Sequence, residues 1–184
     1  HRFGKGREAS VTDLKEYSRE FNFVVDEIDA QEIEKIAISS TKIRNSINEG
    51  DLKTTKIYLG RFFSLTGKVV KGDGLGKQID YPTANISIEE DYKIIPKDGV
   101  YYIKTTIDNN LYNGMMNIGH RPTIGTKEKS IEVNLFNFDR DIYDRVISID
   151  VVEKIRDEKK FASIEALKTQ LAKDQEHCLK LINK

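Results

Sequence analysis

Apolar positions follow two different rhythms along this chain. Up to residue 64 they recur at helical spacing. Leu14, Tyr17 and Phe21 stand behind Thr12 as a candidate cap, and Ile43 and Ile47 follow Ser39, Ser40 and Thr41 with Gly50 as a stop. Leu52, Ile57 and Leu59 suggest another helix within 51–63, while Phe23–Ile28 and Ile36–Ile38 read as short extended pieces, the first of them buried. From Leu65 onward the rhythm changes to short β-rich runs separated by turn residues. Val100–Thr106, a turn at 108–110 and Leu111–Asn117 read as a hairpin. Ile131–Phe138 alternates, placing Ile131, Val133 and Leu135 on one face and Glu132, Asn134 and Phe136 on the other, and Val146–Val152 forms a further strand. Ser163 caps a last helix whose stripe is Ile164, Leu167, Leu171, Cys178 and Leu181. Short antiparallel strands in this number close most simply into a small barrel, which removes exposed edges, and the last helix is expected to lie against it. The fold class is therefore α+β.

Composition narrows the function. The chain of 184 residues carries 30 Lys plus Arg and 30 Asp plus Glu, so no bulk field favours nucleic acid or an acidic membrane surface. Its one cysteine, Cys178, excludes an internal disulfide and, lying on the helix stripe, reads as a buried unreactive thiol. No run is long and apolar enough to span a bilayer and no signal-like segment opens the chain, so a soluble cytoplasmic protein without nucleic-acid or membrane partners is expected.

The most informative stretch is Thr66–Asn85, TGKVVKGDGLGKQIDYPTAN. A β-branched run leads into Gly72, Gly74 and Gly76, and the segment leaves through Pro82-Thr83-Ala84-Asn85. Closely spaced glycines permit positive φ and let successive amides converge on an anion. A dinucleotide fingerprint or P-loop is excluded, because no helical period and no Gly-Lys-Ser/Thr follows the last glycine. Glycine spacing alone leaves a phosphate cradle and a mobile hairpin loop open. In an extended segment Thr83 and Asn85 project to one side, so both could address one phosphate-bound metal ion. At the start of the second helix, Ser39, Ser40, Thr41 and Arg44 could form an anion site, with ordinary capping as the simpler alternative.

From Gly67 to Asn85 the chain resembles the riboflavin kinase signature, in which a glycine-rich segment runs into Gly-Phe-Pro-Thr-Ala-Asn. Further matching segments follow in order: GVYY at 99–102, MNIGHRPTIG at 116–125 and SIEVNLFNF at 130–138. The resemblance covers most of 65–174 and implies a Greek-key barrel. It implies that Gly72, Gly74, Gly76 and Lys77 hold the phosphates of ATP, that Thr83 and Asn85 serve Mg2+, and that Glu132 is the catalytic base on the ribityl 5′-hydroxyl of riboflavin. Tyr102, Asn117, Arg121, Thr123 and Arg156 are the flavin-binding candidates it suggests, and FMN and ADP the products. His120, within the same turn, reads as an exposed loop residue.

The segment ISSTKIR at 38–44 is similar to the ISSTxxR motif of bacterial FAD synthetases, and HRFGKGR at 1–7 to a loop of the same adenylyltransferase module. The expected organisation is thus a C-terminal remnant of a nucleotidyltransferase domain over 1–50, a helical connector over 51–64 and a riboflavin kinase domain over 65–184. The three histidines, His1, His120 and His177, make no HxGH signature, so adenylylation of FMN is expected to be absent. Asp80 and Asp144 stand where the family generally has glycine, and Asn134 replaces a frequent histidine. The competing readings are a flavin or nucleotide binding module without turnover, and an oligonucleotide-binding barrel.

Overall fold

A computed structural model describes residues 2–27, 32–33, 36–72, 74–120 and 129–182. The chain divides into compact units at 1–38 and 39–184. In the first, β1 (Arg2–Phe3) pairs with β2 (Ala9–Ser10), α1 spans Val11–Phe21, and β3 (Glu32–Ile33) pairs with β4 (Ile36–Ala37). The cap of α1 is Ser10, two residues before the expected Thr12. Its hydroxyl accepts from the Asp13 amide, and the Asp13 carboxylate accepts in turn from the Ser10 backbone N–H. The Ser10 backbone and hydroxyl hold the Asp13 carboxyl below its ordinary range. Residues 23–27 form no strand, and Val24 is 90% exposed; Ile28 lies outside the described residues. A β-branched run without a neighbouring strand has no ladder to join.

The second unit opens with α2 (Ser40–Glu49) and α3 (Leu52–Leu59), joined by Gly50 at φ 77° and locked by a buried 2.8 Å hydrogen bond between Ser46 and Thr55. The strands that follow are β5 (Phe63–Val70), β6 (Ala84–Ser87), β7 (Gly99–Ile107), β8 (Asn110–His120), β9 (Lys129–Leu135) and β10 (Val146–Arg156). They form a closed antiparallel barrel in the order β10-β5-β6-β9-β8-β7. Three consecutive strands, β7 to β9, are flanked by β10 returning beside β7, which is the Greek-key order. The β7–β8 hairpin turns at Asp108 and Asn109, both at positive φ (50° and 62°), as a two-residue hairpin loop requires.

Inside the barrel lie Leu65, Val69, Tyr101, Met116, Val133 and Ile149, each at most 1% exposed. Burial of such a side chain stabilises by roughly 1.5–3 kcal/mol. A second apolar seam, made by Val100, Tyr102, Met115, Phe136 and Cys178, joins the outside of the barrel to α5 (Ile164–Ile182), where Ser163 caps the helix by accepting from the Ala166 amide. Cys178 is fully buried there, and burial pushes its thiol up to about 12.

Candidate active site

Register assembles the site. Asn85 on β6 and Asn117 on β8 are both direct partners of Glu132 on β9. Directly opposed residues of antiparallel strands share a face, so the carboxylate is flanked by a carboxamide on each side. The same row continues through Val70 on β5, Val100 on β7 and Arg156 on β10, one residue from every strand. It faces outward, because the alternate set Val69, Val133 and Met116 fills the interior. A register shift between Lys154 and Arg156 returns the arginine to this face at the strand end.

Over the row opens a cleft of about 250 Å³. Its polar wall contains Thr83, Asn117, Glu132, Asn134 and Arg156, and its apolar wall includes Ile79, Tyr81, Val100, Met115 and Phe161. Thr83 also borders a second cavity of about 450 Å³, with Lys77, Pro82, Leu135, Phe138 and Arg140. The threonine is thus a partition between two hollows. Asn134 donates a 2.8 Å hydrogen bond to the Pro82 carbonyl, tying the Pro-Thr-Ala-Asn segment to β9.

The glycine loop is shaped by close approach as much as by positive φ. A Cβ on Gly72 would lie 1.8 Å from the Asn85 side-chain nitrogen, and one on Gly76 would lie 2.3 Å from the Tyr81 carbonyl and 3.0 Å from Thr83 Oγ1. Only Gly74 of the three has positive φ, 73°. It precedes a single helical turn, α4 (Leu75–Gln78), that the sequence pattern did not announce. Gly76 borders the first cleft and Lys77 the second, whereas Gly72 acts on the site through Asn85.

The other expected residues divide. Asn117 and Arg156 line the cleft. Tyr102 does not: it is 1% exposed in the seam beneath α5, and its hydroxyl donates to Asn113 at 2.6 Å. Burial raises its phenol above the ordinary range. Arg121 and Thr123 lie outside the described residues. His120 is exposed, at the end of β8, with Nδ1 2.9 Å from Asp98. At α2, Ser39 caps by accepting from the Lys42 amide at 3.3 Å, and Ser40, Thr41 and Arg44 are exposed and do not border the cleft. Sequence reasoning missed Glu158, Lys159 and Leu171 as cleft residues. Leu171 was legible only as part of the helix stripe.

Hard oxygen donors on Thr83 and Asn85, beside one carboxylate, fit a divalent ion that keeps water and phosphate as most of its ligands. Among the described residues, three His or carboxylate ligand atoms gather only at Asp98, His120 and Glu158, within 4.8 Å of one another.

A closed barrel thus carries a hydroxyl, carboxamides and a carboxylate along one outer cleft. The riboflavin kinase (flavokinase) family model matches residues 59–182. A bifunctional riboflavin kinase/FMN adenylyltransferase of Bacillus subtilis is 38% identical over 78% of this chain and 46% of its own length. That of Buchnera aphidicola subsp. Schizaphis graminum is 38% identical over 99% of this chain and 59% of its own. The chain therefore spans about half the length of such relatives. The crystal structure of a macrolide-efflux protein from Streptococcus pneumoniae has a TM-score of 0.82 at 36% identity, covering 96% of this chain and 56% of that one. The chain belongs to the riboflavin kinase family. No described helix is long and apolar enough to cross a membrane.

Proposed function

We propose that the chain transfers the γ-phosphoryl group of ATP to the ribityl 5′-hydroxyl of riboflavin, giving FMN and ADP, as a cytoplasmic enzyme using Mg2+. The observation that carries this reading is that Thr83 and Glu132 border one cleft, with Asn85 and Asn117 beside the carboxylate. The cleft's apolar wall suits the isoalloxazine ring, and the polar row suits the ribityl chain. The second cavity takes the nucleotide, with Lys77 offsetting phosphate charge. Thr83, as the partition, stands where the γ-phosphate meets the acceptor.

Phosphoryl transfer is mainly positioning and charge stabilisation. Thr83 Oγ1 and the Asn85 carboxamide would hold the magnesium ion, which neutralises charge on the transferring phosphoryl group. Glu132 accepts the proton as the 5′-oxygen attacks phosphorus, and ADP leaves with the former bridging oxygen. The carboxylate acts by its placement, fixed through strand pairing on both sides. Assembly of the acceptor-side base and the phosphate-side hydroxyl in one cleft supports turnover over binding alone.

The same reading assigns 1–50 to part of an adenylyltransferase module, 51–64 to a connector and 65–184 to the kinase module. The ISSTKIR segment with Ser39, Ser40, Thr41 and Arg44 then belongs to the former, and without an HxGH motif these 184 residues make no FAD. Incubation with riboflavin, ATP and Mg2+, followed by chromatographic separation of flavins, tests both statements: FMN is expected and FAD is not. Absence of FMN with folded protein, or formation of FAD, contradicts the corresponding assignment.

A further inference from the structure

Arg156 reaches the cleft from the end of β10, but β10 alone does not aim its guanidinium. Its Nε lies 2.9 and 3.1 Å from the two carboxylate oxygens of Asp174 on α5, and its Nη2 lies 2.9 Å from the same carboxylate. Nη1 donates to the Asp157 carbonyl at 3.0 Å. Asp174 is 2% exposed and also accepts a 2.7 Å bond from Gln170, one helical turn earlier. The other end of the Gln170 amide accepts from Lys159 at 2.7 Å. The Phe161 ring lies beside both cations, 5.6 Å from the Arg156 guanidinium carbon and 5.1 Å from the Lys159 nitrogen.

Arg156, Lys159 and Phe161 line the cleft, whereas Asp174 and Gln170 do not. A buried carboxylate costs stability unless its partners are well placed, and an apolar seam already holds α5 to the barrel. The charge is therefore better explained by what it orients. We infer that Asp174 is a positioning residue for flavin binding: through Arg156, and with Gln170 acting through Lys159, it fixes segment 156–161 so that Phe161 presents its ring to the cleft. The inference rests on the riboflavin reading above. Asp174 touches no substrate, and the residues assigned to phosphoryl transfer lie outside β10 and α5.

The test is riboflavin binding by flavin fluorescence, together with steady-state kinetics, on the wild-type chain, Asp174→Asn and Arg156→Met. Asp174→Asn is expected to raise Kd and KM for riboflavin about tenfold, leaving KM for ATP within about twofold and kcat within about threefold, the pattern of lost acceptor binding. In the Arg156→Met background the same change is expected to add less than about twofold, because the two residues act as one unit. Should Asp174→Asn fail to fold, Gln170→Met decides, with an expected rise of about threefold in riboflavin Kd. Unchanged riboflavin affinity in whichever variant decides, or equal rises in KM for riboflavin and ATP, overturns the positioning role while leaving the functional reading intact. A folded wild-type chain that binds no riboflavin overturns both.

Discussion

The two faces of the barrel wall are made by the same strands and serve opposite ends. Met116 and Asn117 are consecutive, as are Glu132 and Val133, yet Met116 and Val133 pack into the interior while Asn117 and Glu132 open on the cleft. A period of two gives each strand one face that holds the fold and one that can carry chemistry. The outer face divides again, since α5 covers Tyr102 and Met115 to make a seam and leaves the row around Glu132 accessible.

Substitutions on adjacent residues should therefore separate stability from activity. The largest effect is expected from Glu132→Gln, which keeps shape and removes the base. Its kcat should fall by about 10²–10⁴ with riboflavin affinity and Tm little changed, by coupled ADP assay and thermal unfolding. On the inner face, Met116→Ala should cost about 2–5 kcal/mol in urea unfolding, while the folded fraction keeps its KM values. An inner-face change that altered KM without altering stability would break the distinction.

Gly72→Ala joins the two effects. Its new Cβ would stand 1.8 Å from the Asn85 side-chain nitrogen, so the loop or the Asn85 carboxamide must move. We expect a loss of about 1–3 kcal/mol in stability and a raised KM for ATP. The seam is tested by pH. Because burial raises the Cys178 thiol, the folded state favours the protonated form. That contribution is complete below the ordinary cysteine range and disappears as pH rises toward about 12. Folded protein at pH 8 should alkylate at least about 100-fold more slowly than urea-unfolded protein, and Cys178→Ala should show a shallower alkaline loss of stability. The smallest effect is expected at Asp80→Gly, within about 1 kcal/mol in urea unfolding.

That last position shows where sequence reading stops. Asp80 and Asp144 departed from the family pattern, and both adopt positive φ, 63° and 62°, the geometry that favours glycine. Aspartate tolerates it, and each finds a lysine, Lys168 at 3.0 Å and Lys68 at 2.8 Å. Asn134, the third departure, holds Pro82. Alternation alone revealed the two faces of β9, and the stripe ending at Cys178 revealed α5. Register did not follow from a single chain: nothing local to Glu132 says that Asn85 and Asn117 are its neighbours. Nor could an aromatic such as Tyr102 disclose that a distant helix covers it. Asp174 was silent for the same reason, because its partner lies 18 residues away on another element. Ser10, by contrast, was readable, since Asp13 stands three residues on; the nearer hydroxyl of Thr12 drew the cap away from it.

Amide chemical-shift mapping tests most directly whether the row around Glu132 is the working part of the outer wall. Riboflavin should perturb Asn117, Glu132, Arg156 and Phe161, MgADP should perturb Gly76 and Lys77, and both should converge on Thr83. Perturbations centred instead on Ser64, Ser148 and Asp150, on the β5–β10 side of the barrel, would contradict it.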